Sequence, residues 1–266
     1  MQRKAGCHGI ILCHCIQLTT DRSIMRIPRF YEPQPLAADS NITLSESNTQ
    51  HVARALRMRP GEQVILFNGD GHEYLATLTQ IAKRSVEVSI NTVSQPNRTS
   101  PLKIEIGQSL SRGERMDYAI QKATELGMSA MTPLFSERCE VKLNADRQEK
   151  RQRHWQQIAI SACEQSLRCD VPDVATPMDL KTWVSSVKAD LKLVLHHHTE
   201  QPLDTFEAPG SIALLIGPEG GLSESEVAFA LEQGFKPVAF GPRVFRTETA
   251  PVAALSILQY QWGDLS

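Results

Sequence analysis

Arg243, Arg246 and Glu248 sit in Gly241-Pro-Arg-Val-Phe-Arg-Thr-Glu-Thr249, a segment otherwise made mostly of small or apolar residues. Loops mounted on a rigid scaffold are where functional polar groups concentrate. A fixed cation there suits stabilisation of developing negative charge, and a carboxylate suits proton transfer. The plainer alternative is an ion pair of Arg246 with Glu248 or Glu219. A second loop, Gly217-Pro-Glu-Gly-Gly221, has a related character. It lacks the G-x-G-x-x-G spacing, and no Gly-Lys-Ser/Thr occurs, which excludes a dinucleotide fingerprint and a P-loop. Each loop is either a tight turn or a place where glycine lets the backbone approach a ligand closely.

Each loop follows a short apolar run, Ile212-Ala-Leu-Leu-Ile216 and Val238-Ala-Phe240. Runs this short, bounded by Gly and Pro, read as buried parallel strands. A helix is expected after each: Leu222-Ser-Glu-Ser-Glu-Val227 offers a serine cap and glutamates, and Pro251 opens an apolar run to Trp262. Two strand–loop–helix units place both loops at the carboxyl edge of one sheet, where open α/β sheets bind ligands. Upstream, strands are expected over 102–106, 130–135 and 191–195. Helices are expected over 115–126, closed by Gly127, and over 147–167. Such alternation argues for a mostly parallel sheet covered on both faces.

Residues 25–93 read instead as a small β-rich domain. Strands over 64–67 and 74–78 flank the turn Asn68-Gly-Asp-Gly71, and 85–90 alternates in polarity. Between 51 and 58 the pattern is helical, with His51, Arg54 and Arg57 recurring every three residues on one side. That side is either a solvated charged face or a phosphate grip. Arg26, Arg29 and Arg59 would extend such a grip through their planar guanidinium forks. Residues 94–101, polar with two prolines, form the linker to a second domain over 102–266.

The hydrophobic share of 41% and charged share of 22% exclude wholesale disorder, and no run is long enough for a membrane span. The net charge of -2 argues against indiscriminate nucleic-acid binding. Residues 25–155 nevertheless hold eighteen Lys/Arg against fifteen Asp/Glu, whereas 199–266 hold three against nine. An RNA-facing patch therefore belongs mainly in the first half. Residues 1–24 read as a disordered extension. Their Cys7, Cys13 and Cys15, with His8 and His14, lack the paired spacing of a zinc module. The irregularly spaced Cys139, Cys163 and Cys169 fit reduced thiols in the cytoplasm. His196-His-His198 ends the strand over 191–195; adjacent side chains on an extended chain diverge, which suits one metal poorly.

The pair Leu-Leu-Ile-Gly-Pro-Glu-Gly-Gly-Leu-Ser (214–223) and Gly-Pro-Arg-Val-Phe-Arg-Thr-Glu-Thr (241–249) resembles the SPOUT methyltransferases. In particular it is similar to the bacterial family that methylates N3 of a uridine in 16S ribosomal RNA. The likeness continues through Ser111-Arg-Gly-Glu-Arg-Met116, Gln121-Lys-Ala-Thr-Glu-Leu-Gly127, Pro133-Leu-Phe-Ser-Glu-Arg138, Ala162-Cys-Glu-Gln165, Met25-Arg-Ile-Pro-Arg-Phe30 and residues 51–58. It spans about residues 25–266 and makes Met25 an alternative start, since chains of the family begin at a similar sequence.

The resemblance implies a SPOUT-type parallel sheet with a C-terminal trefoil knot, preceded by a PUA-like RNA-binding barrel. It implies S-adenosyl-L-methionine as cofactor, 16S ribosomal RNA within the small ribosomal subunit as partner, a homodimer, and no metal. Cofactor contacts are expected from Leu195, His196, Ile216, Gly217, Pro218, Glu219, Gly220, Gly221, Phe240, Gly241, Val244, Phe245 and Thr247. Where the family usually has Leu-His-Pro, this chain has His197 in place of the proline; Phe240 and Phe245 stand where leucines are usual. Catalysis is expected from Arg246, steadying the uracil anion or a phosphate, and from Glu248, accepting a proton or orienting Arg246. Phosphate contacts are expected from Arg26, Arg29, His51, Arg54, Arg57 and Arg59. The competing class is a non-catalytic RNA-binding module, which would have no use for a small-molecule cleft at the sheet edge.

Overall fold

The structure is a computed structural model and describes residues 27–196 and 203–266. Arg26, the extension over 1–24, His197 and His198 lie outside them.

The period-two alternation in the first half builds β1 (Arg29–Tyr31), β2 (Asn41–Thr43), β3 (Gln63–Phe67), β4 (Glu73–Ile81) and β5 (Val86–Ser94). They hydrogen-bond in the order β1-β3-β4-β5-β2. Their inward residues, among them Phe30, Val64, Leu66, Leu78, Val88 and Ile90, form a core separate from that of the second half. Between β2 and β3 lies α1 (Glu46–Gln50), capped by the Ser45 hydroxyl, and a π-helical turn over His51–Ala55. The helix expected over 51–58 therefore stops early. Arg57 adopts φ 52°, a left-handed conformation, so it does not share a helical side with His51 and Arg54.

From residue 103 the order is β6 (Lys103–Ser109), α2 (Arg115–Glu125), β7 (Ala130–Phe135), α3 (Ala145–Ser166), β8 (Asp173–Val174), β9 (Met178–Asp179) and α4 (Leu180–Ser186). Then come β10 (Leu191–Leu195), β11 (Ser211–Ile216), α5 (Glu224–Glu232), β12 (Lys236–Val238) and α6 (Thr249–Trp262). The sheet runs β12-β10-β11-β6-β7-β8, with β9 also against β7, and its pairings are parallel. The buried runs of β6, β7, β10 and β11 face two apolar layers. One holds Ile104, Ile106, Leu214 and Ile216 with α2, α3 and α6; the other holds Val194, Ala213 and Leu215 with α4 and α5.

The last strand begins earlier than its apolar run suggested, at Lys236 rather than Val238. Pro237 is tolerated because β12 is an edge strand and needs hydrogen bonds on one side only. Phe240 is thereby released from the sheet into the loop. Helix α5 starts with a reciprocal capping box: Glu226 N–H donates to Ser223 Oγ at 3.1 Å, and Ser223 N–H donates to Glu226 Oε2 at 2.8 Å. No described helix is long and apolar enough to cross a membrane.

Candidate active site

The loops after β11 and β12 meet the end of β10 around a cleft of about 640 Å³. Leu195, His196, Ile216, Gly217, Pro218, Glu219, Gly220, Gly221, Phe240, Gly241, Val244, Phe245 and Thr247 all line it, and so do Arg246 and Glu248. Its volume suits one small organic ligand, and its walls combine apolar side chains with exposed backbone. His196 is fixed there by its own N–H, which donates to Val238 O at 3.0 Å.

The two loops are tied together beneath the cleft. Thr247 is buried; its Oγ1 accepts from Gln108 Nε2 at 3.0 Å and donates to Gly217 O at 3.2 Å. Its hydroxyl is thus spent on joining β6, the first glycine loop and the second. At Gly217 the turn is tight: a Cβ there would lie 3.0 Å from Leu222 N and 3.1 Å from its Cγ, so a side chain would force Leu222 to shift. Gly220 differs: a Cβ would meet only the Arg138 side chain, at 3.5 Å or more. The absence of a side chain at Gly220 is therefore not demanded by packing.

Beside the cleft opens a wider groove of about 1340 Å³, sharing with it Arg115, Arg138, Glu219, Gly220, Arg246 and Glu248. Arg115 Nη1 lies 2.6 Å from Glu219 Oε1, and its Nε lies 3.9 Å from Glu248 Oε2. Burial raises the Glu219 carboxyl, but hydrogen bonds from its own backbone N–H, from Arg115 and from Arg112 N–H outweigh this and hold it below the usual range. Arg138 Nη1 donates to Gly220 O at 3.0 Å and Leu222 O at 3.3 Å, bracing the first loop. Arg246 makes no ion pair among the described residues; the acids expected to neutralise it face Arg115 instead. Glu248 Oε2 is buried without a hydrogen-bond partner among the described residues. An exposed guanidinium and a poorly solvated carboxylate oxygen thus stand where cleft and groove join.

Arg115, Arg138 and Arg112 were absent from the expected site. They lie in Ser111–Met116 and Pro133–Arg138 of the sequence motifs, yet their partners stand 104, 82 and 107 residues away. No local spacing reveals such pairings.

In the first domain the expected phosphate contacts divide. His51, Arg54, Arg57 and Arg59 are exposed. Arg29 must be withdrawn from the set, because it is only 8% exposed. Its Nη2 donates to Arg168 O at 2.8 Å and to Cys169 Sγ at 3.1 Å, and lies 3.3 Å from Glu73. The guanidinium also stacks over Phe67, 4.2 Å from the ring centre. Arg168 in turn donates to Thr124 O and Met128 O in the second domain. Close by, Glu164 of α3 accepts from Tyr31 N–H at 3.0 Å. Arg29 is a joint between the domains rather than a surface cation.

A model of an RNA methyltransferase domain matches residues 98–259, and one of an RNA methyltransferase PUA domain matches residues 44–91. The chain belongs to this RNA methyltransferase family. Among its relatives, Ribosomal RNA small subunit methyltransferase E of Buchnera aphidicola (from Schizaphis graminum) is 35% identical, over 91% of this chain and 99% of that protein. The Bacillus subtilis protein of the same name is 32% identical, over 86% and 93%. A Legionella pneumophila protein solved with its bound cofactor SAM superimposes with a TM-score of 0.87 at 43% identity, over 90% of this chain and all of that one. Ribosomal RNA small subunit methyltransferase E of Neisseria gonorrhoeae, solved with S-adenosyl methionine, gives 0.85 at 39% identity with the same coverage. The methyltransferase family thus accounts for both halves of the chain: a SPOUT-type α/β domain behind a PUA-like domain.

Proposed function

We propose that the chain methylates N3 of a uridine in 16S ribosomal RNA, with S-adenosylmethionine held in the cleft and the base presented from the adjoining groove. The observation that carries this reading is the meeting of the two cavities at Arg246 and Glu248. Among the described residues the first is exposed and makes no ion pair, and the second has a buried oxygen that accepts no hydrogen bond and lies 3.9 Å from Arg115. When bound, S-adenosylmethionine supplies an electrophilic methyl group on a sulfonium. The chain's part is positioning and charge, which account for much of the rate in such transfers.

Leu195, Ile216, Phe240 and Phe245 offer apolar walls for the cofactor, and the loop backbones of 217–221 and 240–245 offer its polar contacts. Glu248 takes the N3 proton, so that N3 attacks as an anion; the N–C bond forms as the S–C bond breaks, and the sulfur product leaves uncharged. Arg246 faces the negative charge on the uracil before transfer. Arg115 keeps Glu219 and Glu248 oriented and prevents them from neutralising Arg246.

The finer parts of the reading are a trefoil knot at the C-terminal end, a cytoplasmic homodimer and a substrate within the small ribosomal subunit. Val244, apolar yet 76% exposed at the cleft, supports a dimer contact there. Sedimentation showing only monomer at micromolar concentration defeats the dimer. The central test is to map methylated uridines in 16S ribosomal RNA from cells lacking the gene. Loss of one N3-methyluridine, restored by the wild-type gene, is expected; an unchanged modification map overturns the assignment.

A further inference from the structure

The proposed RNA contacts on the barrel leave unexplained a second group of cations, on the first half of α3. Residues 142–154 carry Lys142, Arg147, Lys150, Arg151 and Arg153 against only Asp146 and Glu149, in a chain whose net charge is -2. At 3.6 residues per turn, Arg147, Lys150, Arg151 and His154 fall on one flank of the helix and Glu149 falls on the other, while Asp146 stands at the edge of the first flank, one turn before Lys150. Arg147, Lys150 and Arg151 are exposed, and none forms an ion pair among the described residues.

For the isolated helix the like charges repel, offset only in part by Asp146 four residues before Lys150 and Glu149 four before Arg153. Arg147 stands three residues before Lys150 and four before Arg151, so like charges stack directly on one another. Arg147 also lies in the first turn, at the positive end of the helix dipole, where acids rather than cations are stabilising. The sequence keeps them although Gln148, Gln152 and Trp155 already satisfy the packing side, through Leu143 O, Val174 O and Asp117.

A hollow links the start of α3 to the active-site groove. It is shallow, about 370 Å³, shares Cys139 with that groove and reaches Lys142 and Gln148, next to Arg147. His154 fixes the same flank against α2, its Nε2 lying 2.8 Å from Asp117 Oδ2, one residue from the groove-lining Tyr118. At its other end α3 meets the barrel, where Glu164 accepts from Tyr31 N–H. The helix, about 33 Å long from its 22 residues, therefore runs from the hollow beside the groove to the first domain.

We infer that the Arg147–Lys150–Arg151 flank is a phosphate track that carries the RNA strand away from the methylation groove. This rests on the proposed function and deepens it: the occupant is the sugar-phosphate backbone flanking the target uridine. Three exposed cations without ion pairs among the described residues, with Lys142 in the hollow between them and the groove, match such a polyanion, and binding it removes the repulsion between them.

The test uses the full chain with Arg147→Ala, Lys150→Ala and Arg151→Ala combined, and a small-subunit RNA substrate. Unaltered S-adenosylmethionine affinity by calorimetry and an unaltered circular dichroism spectrum report a folded variant. The expected result is KM for RNA raised tenfold or more with kcat little changed. The log–log salt dependence of RNA affinity should be shallower by about 2, from three phosphate contacts at about 0.7 each on a single strand. A double Arg147→Lys, Arg151→Lys variant should retain the wild-type slope. Wild-type KM and slope in the triple variant overturn the track while leaving the proposed function standing. Loss of the wild-type oligomeric state with an unchanged salt slope also overturns it, assigning the flank to contact between copies. Absence of N3 methylation by the wild-type protein itself removes the underlying reading instead.

Discussion

Replacing Thr247 with valine tests whether the hydroxyl beneath the cleft holds the two loops in register. Valine keeps the branched shape but removes an acceptor for Gln108 Nε2 and a donor to Gly217 O. Gln108 Nε2 retains its 3.3 Å contact with Ser109 O, so the Gly217 carbonyl is the group chiefly left without a partner. An unsatisfied buried group costs about 1–3 kcal/mol, and the Gly217 carbonyl, only partly buried at the cleft, falls toward the lower end of that range. At about 2–4 °C per kcal/mol for a domain of this size, the unfolding midpoint should fall by several degrees. Because the loops must stay closed for the ligand, S-adenosylmethionine affinity should fall about tenfold, the equivalent of 1.4 kcal/mol. Differential scanning fluorimetry and titration calorimetry read the two effects, and Thr247→Ser, which keeps the hydroxyl, should restore most of both. A valine variant with wild-type midpoint and affinity would refute the reasoning.

Other outcomes follow from the same geometry. Arg246→Ala should lower the methylation rate about 100-fold with cofactor affinity nearly unchanged, since it removes one preorganised charge; wild-type turnover would contradict this. Glu248→Gln should lose less, with part of the loss relieved at higher pH, where hydroxide replaces the missing acceptor; a flat pH profile would point to orientation of Arg115 instead. Gly220→Val should abolish S-adenosylmethionine binding in a folded protein, because the modest contact with Arg138 leaves room in the fold; full affinity removes Gly220 from the site. Arg54→Glu with Arg57→Glu should weaken RNA binding and flatten its salt dependence while sparing the cofactor, and unaltered RNA affinity would remove the barrel patch.

Local signals proved legible where a residue's role is decided by its neighbours in sequence. Ser223 and Glu226 announce a helix start three residues apart, and the structure closes that box with both hydrogen bonds. The strands over Ala130–Phe135 and Leu191–Leu195 were readable to the residue, because apolar runs between breakers leave little choice. The candidate cleft was legible for a related reason: its lining comes from two loops, each following a recognisable strand. Arg29 was misread because a lone arginine near other cations looks like a phosphate ligand. Its actual acceptor, the Arg168 carbonyl, is 139 residues distant. Arg57 was misread because three-residue spacing says nothing about where a helix ends. Sheet order was beyond reach as well, since β6 pairs with β11 across a hundred residues and alternation carries no information about adjacency.

The joint at Arg29 has a consequence for how substrate is chosen. A barrel on a loose tether would swivel until it found RNA and would surrender that freedom on every encounter. Here guanidinium–carbonyl bonds on one side and the Tyr31–Glu164 bond on the other immobilise the barrel against α3 before any RNA arrives. The entropy of orienting the two halves is lost once, during folding, rather than in each binding event. Under the proposed function, the protein would present a rigid template that favours RNA whose own shape already spans it.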